Sequence, residues 1–185
     1  MKSDKHDYLK RLPPSAYQGF AVVHWTMTMD ERKQGWLNAT FHFRFREILL
    51  HSLHREACVC PIYCLMPDHL HLLVLGVRES SDQRMAIRHL RANLNQMLGV
   101  GFELQKQPHD HVLRRWEREQ GAFQDVAAYI ADNPVRAGLV DQRGEWPYAS
   151  AMIPGYPEIL PALPDYWMRF WRVVAYLQKP GNTPQ

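Results

Sequence analysis

No stretch of this 185-residue chain is apolar over the roughly 18 residues that a membrane-spanning helix needs. The start, Met1-Lys2-Ser3-Asp4-Lys5-His6-Asp7, has no apolar segment of the kind a leader peptide carries. The expectation is a cytoplasmic protein without membrane contact. A dominant charge is missing too: 22 Lys and Arg oppose 19 Asp and Glu, for a net charge of +3. Such a balance excludes a generally polycationic nucleic-acid binder and leaves room only for local basic patches. Internal repeats, low-complexity tracts and clear linkers are absent. Cysteine is scarce, and the three present (Cys58, Cys60, Cys64) include no C-x-x-C pair. Their even spacing suits small apolar residues of one strand better than a zinc or redox site.

What is present is a globular composition, 46% hydrophobic, in a length that fits one domain and a short appendage. Residues 1–19 read as a polar arm ending in Pro13-Pro14-Ser15. Phe20 to Met29, rich in β-branched and aromatic residues, reads as a strand, and residues 30–40 as a polar loop. Phe41 to Ala57 has the spacing of a helix, with Phe41, Phe45, Ile48, Leu49 and Leu53 on one side. Strands follow over Cys58–Leu65 and from His69 to about Leu75, joined at Met66-Pro67-Asp68 as a hairpin. A second helix runs from Gln83 to Leu98, and Gly99 and Gly101 suit its end. A short strand is expected around His111–Leu113. A third helix spans Phe123–Asp132, with Asn133-Pro134 ending it. Trp146-Pro147-Tyr148-Ala149-Ser150 reads as irregular, and Asp165–Leu177 as a final helix. This βαββαβ order predicts an α+β fold of the ferredoxin-like kind, an antiparallel sheet with helices on one face, plus a C-terminal helical tail.

The most informative stretch is Leu65-Met66-Pro67-Asp68-His69-Leu70-His71-Leu72-Leu73-Val74-Leu75. Successive side chains of a strand alternate faces, so His69 and His71 share one face while Leu70, Leu72 and Val74 point to a core. Two imidazoles about 6–7 Å apart along a strand face can chelate one divalent metal ion. On the third helix, Phe123, Val126, Ala127 and Ile130 form the apolar stripe. Tyr129 sits at its margin, and Asn133 lies one turn on along the same side. Each is unremarkable alone, as a packing tyrosine and a helix terminator. With the histidines they form a set: two imidazole ligands, an amide oxygen as a third, and a phenol one turn away that can attack phosphorus. A phosphotyrosine conserves the energy of the broken phosphodiester for rejoining. Asp125 and Asp132 are the rival third ligands.

The blocks Leu65–Val74 and Tyr-Ile-Ala-Asp-Asn-Pro-Val-Arg-Ala-Gly-Leu-Val (129–140) resemble the two signature blocks of the REP-associated tyrosine transposases. These are bacterial single-tyrosine relatives of the HUH transposases, which act on single-stranded DNA. Trp146-Pro147-Tyr148-Ala149-Ser150 is similar to that family's aromatic-Pro-aromatic-Ser-Ser block, with Ala149 in place of the first serine. The likeness runs in order over about residues 10–152, although Asp30–Asn38 matches nothing specific. It implies the ferredoxin-like fold, a Mg²⁺ or Mn²⁺ ion on His69, His71 and Asn133, and Tyr129 as nucleophile. The expected division of the chain is an N-terminal arm (1–19), a catalytic domain (20–152) and a tail (153–185).

Basic residues cluster twice. Arg84, Arg88 and Arg91, with Asn95, fall on one stripe of the second helix. Arg114, Arg115 and Arg118 surround Trp116 just before the third. Both read either as solvated surface or as contacts to phosphates and stacked bases, and Lys2, Lys5, Lys10 and Arg11 add a basic arm. His109-Asp110-His111 is a second His-x-His without an apolar strand around it, and His24, His42, His51 and His54 read as ordinary polar positions. The resulting expectation is a metal-dependent DNA strand transferase. It would cleave single-stranded DNA beside hairpin-forming repeats through a 5′-phosphotyrosine, as a monomer or homodimer. The alternatives are a domesticated hairpin-binding protein without turnover and a metal-dependent nuclease using water.

Overall fold

A computed structural model describes residues 11–180. Lys2, Lys5 and Lys10 of the expected basic arm lie outside the described residues. Five strands make one antiparallel sheet in the order β4-β1-β3-β2-β5. They are β1 (Val22–Thr28), β2 (Cys58–Leu65), β3 (His69–Gly76), β4 (His109–Val112) and β5 (Ala149–Met152). The helices are α1 (Ala39–Arg55), α2 (Gln83–Met97), α3 (Arg115–Glu119), α4 (Ala122–Arg136) and α5 (Tyr166–Leu177). The expected α+β arrangement is present, with β1-α1-β2-β3-α2-β4 as its ferredoxin-like part.

Local chemistry sets the helix starts. The Asn38 side chain accepts from the Phe41 N–H at 2.9 Å, and the Asp82 carboxylate caps α2 by accepting from Arg84 and Met85. α4 has no such cap and begins after Gly121, whose φ of +92° costs glycine nothing. At the end of β3, Gly76 is obligatory, because a Cβ there would sit 1.9 Å from the Gly19 carbonyl oxygen.

Two cores flank the sheet. Trp25, Met27, Leu70, Leu72 and Val74 pack with Phe45, Leu49, Leu90 and Leu94 of α1 and α2. Val22, Ile62, Leu73 and Leu75 point the other way and pack with Phe123, Ala127 and Ile130 of α4 and Phe170 and Val174 of α5. The one-face expectation therefore describes α1 and α2, while α4 and α5 cover the second face. The reason is visible in β2 and β3, whose residues are buried on both faces from Leu70 to Gly76 and throughout β2.

Other departures from the sequence reading have local causes. The segment 146–150 leads into β5, which pairs with β2 through Ser150 opposite Tyr63 and Met152 opposite Cys60. Trp146 anchors that segment by donating its indole N–H to the Leu65 carbonyl at 2.8 Å. Pro134 does not end the third helix: α4 continues to Arg136, with the proline ring buried and the Ala137 N–H bonded to Asn133 O. A proline in the last turn forfeits one helical hydrogen bond, and burial of its ring offsets part of that loss. Nor is the arm wholly polar. Tyr17, the last residue of a short 3-10 turn (Pro14–Tyr17), is fully buried, and its hydroxyl donates to Asp110 at 2.5 Å. The three cysteines are free thiols buried in β2, and burial pushes each of them up.

Candidate active site

Antiparallel pairing delivers the histidines. Thr26 of β1 lies opposite His71 and Thr28 opposite His69, while Met27 faces Leu70 on the other surface. The His69 and His71 Nε2 atoms converge to 3.1 Å. Two ligands on one octahedral ion at about 2.1 Å are separated by about 3 Å, so this spacing fits a shared cation. His69 Nδ1 donates to Asp68 Oδ1 at 2.6 Å, and Asp68 Oδ2 accepts from Arg32 at 2.9 Å. Burial pushes the Asp68 carboxyl up, but the bonds from His69 and Arg32 outweigh it and hold it below its usual range.

His71 is 4% exposed and its Nδ1 lies 3.1 Å from both Thr26 Oγ1 and His24 Nε2. Burial, then neighbouring imidazoles, pull His71 down to about 3 and His24 down to about 4. Both rings are therefore neutral near pH 7, the state in which imidazole binds a metal. The sequence alone presents His24 as an ordinary polar position; the structure makes it part of the cluster. Its signal is its place in a strand two residues before Thr26, which is informative only once the register with β3 is known.

α4 closes the cluster from above. The Tyr129 ring sits 5.6 Å from the His71 ring and 6.0 Å from that of His24, centroid to centroid. Tyr129 remains 39% exposed, and Arg136 lies over its ring at 5.2 Å. One turn on, Asn133 donates its amide N–H to the Tyr129 carbonyl at 2.8 Å rather than bonding the histidines. Oδ1 is thereby the atom left to coordinate. The rivals fare differently: Asp132 is paired with Arg143, which holds its carboxyl low, and Asp125 is exposed a turn before Tyr129. Among the described residues no three His, Cys, Asp or Glu side chains group as a metal cage. Two imidazoles and an amide oxygen are softer than an all-oxygen site and suit a transition ion such as Mn²⁺ better than Mg²⁺.

The arginine stripe lies on the opposite face of the sheet. Arg84, Arg88 and Arg91 line a cleft of about 270 Å³ with Arg11, Trp25 and Pro108. Arg11 lies over the Trp25 ring at 5.7 Å, Arg84 over Tyr17 at 5.9 Å, and Arg91 donates to the Gln105 and Lys106 carbonyls. Asn95 is structural, accepting from the Leu104 N–H. The second basic cluster falls on α3, where Arg115 pairs with Glu119 at 2.9 Å and Trp116 stands 54% exposed. The second His-x-His forms edge strand β4, with His111 opposite His24 and 3.1 Å from Glu117.

No protein-family profile matches the chain. A Haemophilus influenzae protein provisionally named a REP-associated tyrosine transposase is 24% identical over 139 residues, spanning 70% of this chain and 78% of that protein. A solved structure of a REP-associated tyrosine transposase bound to a REP hairpin has a TM-score of 0.64 at 16% identity. It covers 96% of this chain and 93% of its own. The chain thus shares its fold with that structure, and its sequence is similar to that of the Haemophilus influenzae protein.

Proposed function

We propose that this chain is a single-stranded DNA transposase of the REP-associated tyrosine kind, acting beside hairpins in the cytoplasm. The observation that carries the reading is the approach of the Tyr129 ring to His71, whose Nε2 stands 3.1 Å from that of His69. The hairpin bound to the structural neighbour supports the choice of substrate.

In this reading His69, His71 and Asn133 Oδ1 hold a Mn²⁺ or Mg²⁺ ion. Such an ion would supply positive charge to offset that on a bound phosphodiester. The Tyr129 phenol oxygen forms a bond to phosphorus as the bond from phosphorus to the 3′ oxygen breaks. Its proton passes to solvent, the departing 3′ oxygen takes one from solvent, and the products are a 5′-phosphotyrosine and a free 3′-OH. Attack by another 3′-OH reverses the bond changes and regenerates the phenol. Arg136, over the Tyr129 ring, adds positive charge where the phosphate arrives. Arg84, Arg88 and Arg91 hold phosphates away from the reacting bond, and Arg114, Arg115 and Arg118 with Trp116 hold the unpaired strand. Among the described residues no helix is long and apolar enough to cross a membrane.

The test is a denaturing gel after incubating the chain with a hairpin-bearing single strand and Mn²⁺. Cleavage with a covalent protein–DNA adduct is the expected result. Cleavage without adduct supports the water-using nuclease, and binding without cleavage the domesticated hairpin binder.

A further inference from the structure

The two histidines reach their common point only if each presents a bare nitrogen to it, and the neighbours decide which nitrogen is bare. A carboxylate accepts and never donates, so the 2.6 Å contact to Asp68 requires the His69 proton to be on Nδ1. The His69 Nε2 lone pair then faces His71. Arg32 secures the other Asp68 oxygen from a constrained turn. Glu31 and Arg32 have φ of 51° and 53°, in the left-handed region that side chains other than glycine seldom adopt. That turn is stitched to the hairpin by the Met29 N–H, which donates to the Asp68 carbonyl at 2.9 Å.

His71 has a choice. A proton on Nε2 would point at His69 and fill the place a cation needs. A proton on Nδ1 finds the Thr26 hydroxyl and, when the His24 proton sits on its own Nδ1, His24 Nε2, both at 3.1 Å and both on β1. With a cation held between the two Nε2 atoms, which stand 3.1 Å apart, only a proton on Nδ1 leaves His71 free to bind it. We infer that Asp68, Thr26 and His24 are positioning residues that fix the tautomers of His69 and His71, so that both Nε2 lone pairs face a single divalent cation. This inference rests on the metal reading above, and none of the three residues touches the cation itself. It also accounts for the constrained turn at residues 30–33, which brings Arg32 to Asp68.

The experiment uses the full-length chain and two readouts. Long-range ¹H–¹⁵N spectra of the histidine rings, recorded with diamagnetic Mg²⁺, report tautomers, and electron paramagnetic resonance titration reports Mn²⁺ affinity. In the wild type with Mg²⁺ bound, His69 and His71 should both be protonated on Nδ1. Asp68→Ala should convert His69 to the other tautomer or a mixture, and Thr26→Val should do the same at His71. Each should weaken Mn²⁺ binding 10- to 100-fold, the usual cost of removing a ligand's hydrogen-bond partner. Asp68→Asn, which keeps an acceptor oxygen, and Thr26→Ser should retain most of the affinity. Circular dichroism melts confirm that the variants fold. Folded Asp68→Ala and Thr26→Val proteins with unchanged tautomers and unchanged Mn²⁺ affinity would overturn the inference while leaving the metal reading intact. A wild type that binds no Mn²⁺ would instead overturn the metal reading, and the inference with it.

Discussion

The two faces of the sheet are built from alternate residues of the same strands, yet they do different work. On the α1–α2 face, Trp25, Met27, Leu70 and Leu72 are buried without interruption. On the α4–α5 face, Val22, Leu73 and Leu75 give way within two or three residues to His24, Thr26, His69 and His71. The first face is continuous core, and the second is core at one end and polar cluster at the other. Since each strand is shared, the rigidity of one face fixes the side-chain positions on the other. A site raised on strands in this way is held more firmly than one raised on loops.

That contrast can be broken from either side, and the largest effect should come from the polar one. His69→Ala or His71→Ala should abolish DNA cleavage on a gel while hairpin affinity, which comes mainly from phosphate contacts, changes little. Neither should unfold the protein, because each removes a side chain from the polar end. Cutting by both variants at the wild-type rate would remove the histidines from the chemistry. On the opposite face, Leu72→Ala should cost about 2–5 kcal/mol in chemical denaturation. Equal stability losses at Leu72 and His71 would mean that the two faces are not divided as described.

Acid should sharpen the same division. His24 and His71 are held at about 4 and about 3 in the folded chain, against about 6.5 unfolded. Between those values the unfolded chain binds more protons, so folding stability falls as pH drops from about 6.5 toward 3. His42 on α1 is also pulled down to about 4 by burial, then by Arg46, and contributes in the same direction. A double variant, His24→Asn with His71→Asn, should flatten this slope in urea melts across pH. A slope unchanged from the wild type would show that these rings do not titrate as buried groups.

The smallest effect concerns the cleft. Replacing Arg84, Arg88 and Arg91 together should weaken binding across all sequences and reduce the salt slope by up to about one unit per contact. The measurement is fluorescence anisotropy at several salt concentrations. An unmoved slope would make the stripe a solvated helix face.

How much of this is legible in the sequence follows from the range of the interactions concerned. The alternation in the stretch 69–75 and the spacing in α1 and α2 are local patterns, and they mark the hairpin and the helices to within two residues. Tyr129 and Asn133 share a helix, so their common side is readable as well. His24 is not, because its role depends on the register of β1 against β3, which no local pattern encodes. Asp68 looks like a turn residue and is one, but its carboxylate also accepts from His69 Nδ1. β5 escapes a sequence reading because Ala149–Met152 has a strand's length only beside β2. α4 runs past Pro134 because tertiary burial outweighs a local helix-stop signal.

The central claim is that Tyr129 becomes covalently joined to DNA. The direct measurement is mass spectrometry of the full-length chain trapped with a hairpin-bearing single strand and Mn²⁺, alongside Tyr129→Phe. Phenylalanine keeps the ring against His71 and His24 and removes only the hydroxyl. The account predicts a nucleotide on Tyr129 in the wild type, none on Tyr63 or Tyr148, and a folded, DNA-binding variant that forms no adduct and cuts nothing. Cleavage by Tyr129→Phe at the wild-type rate would contradict it.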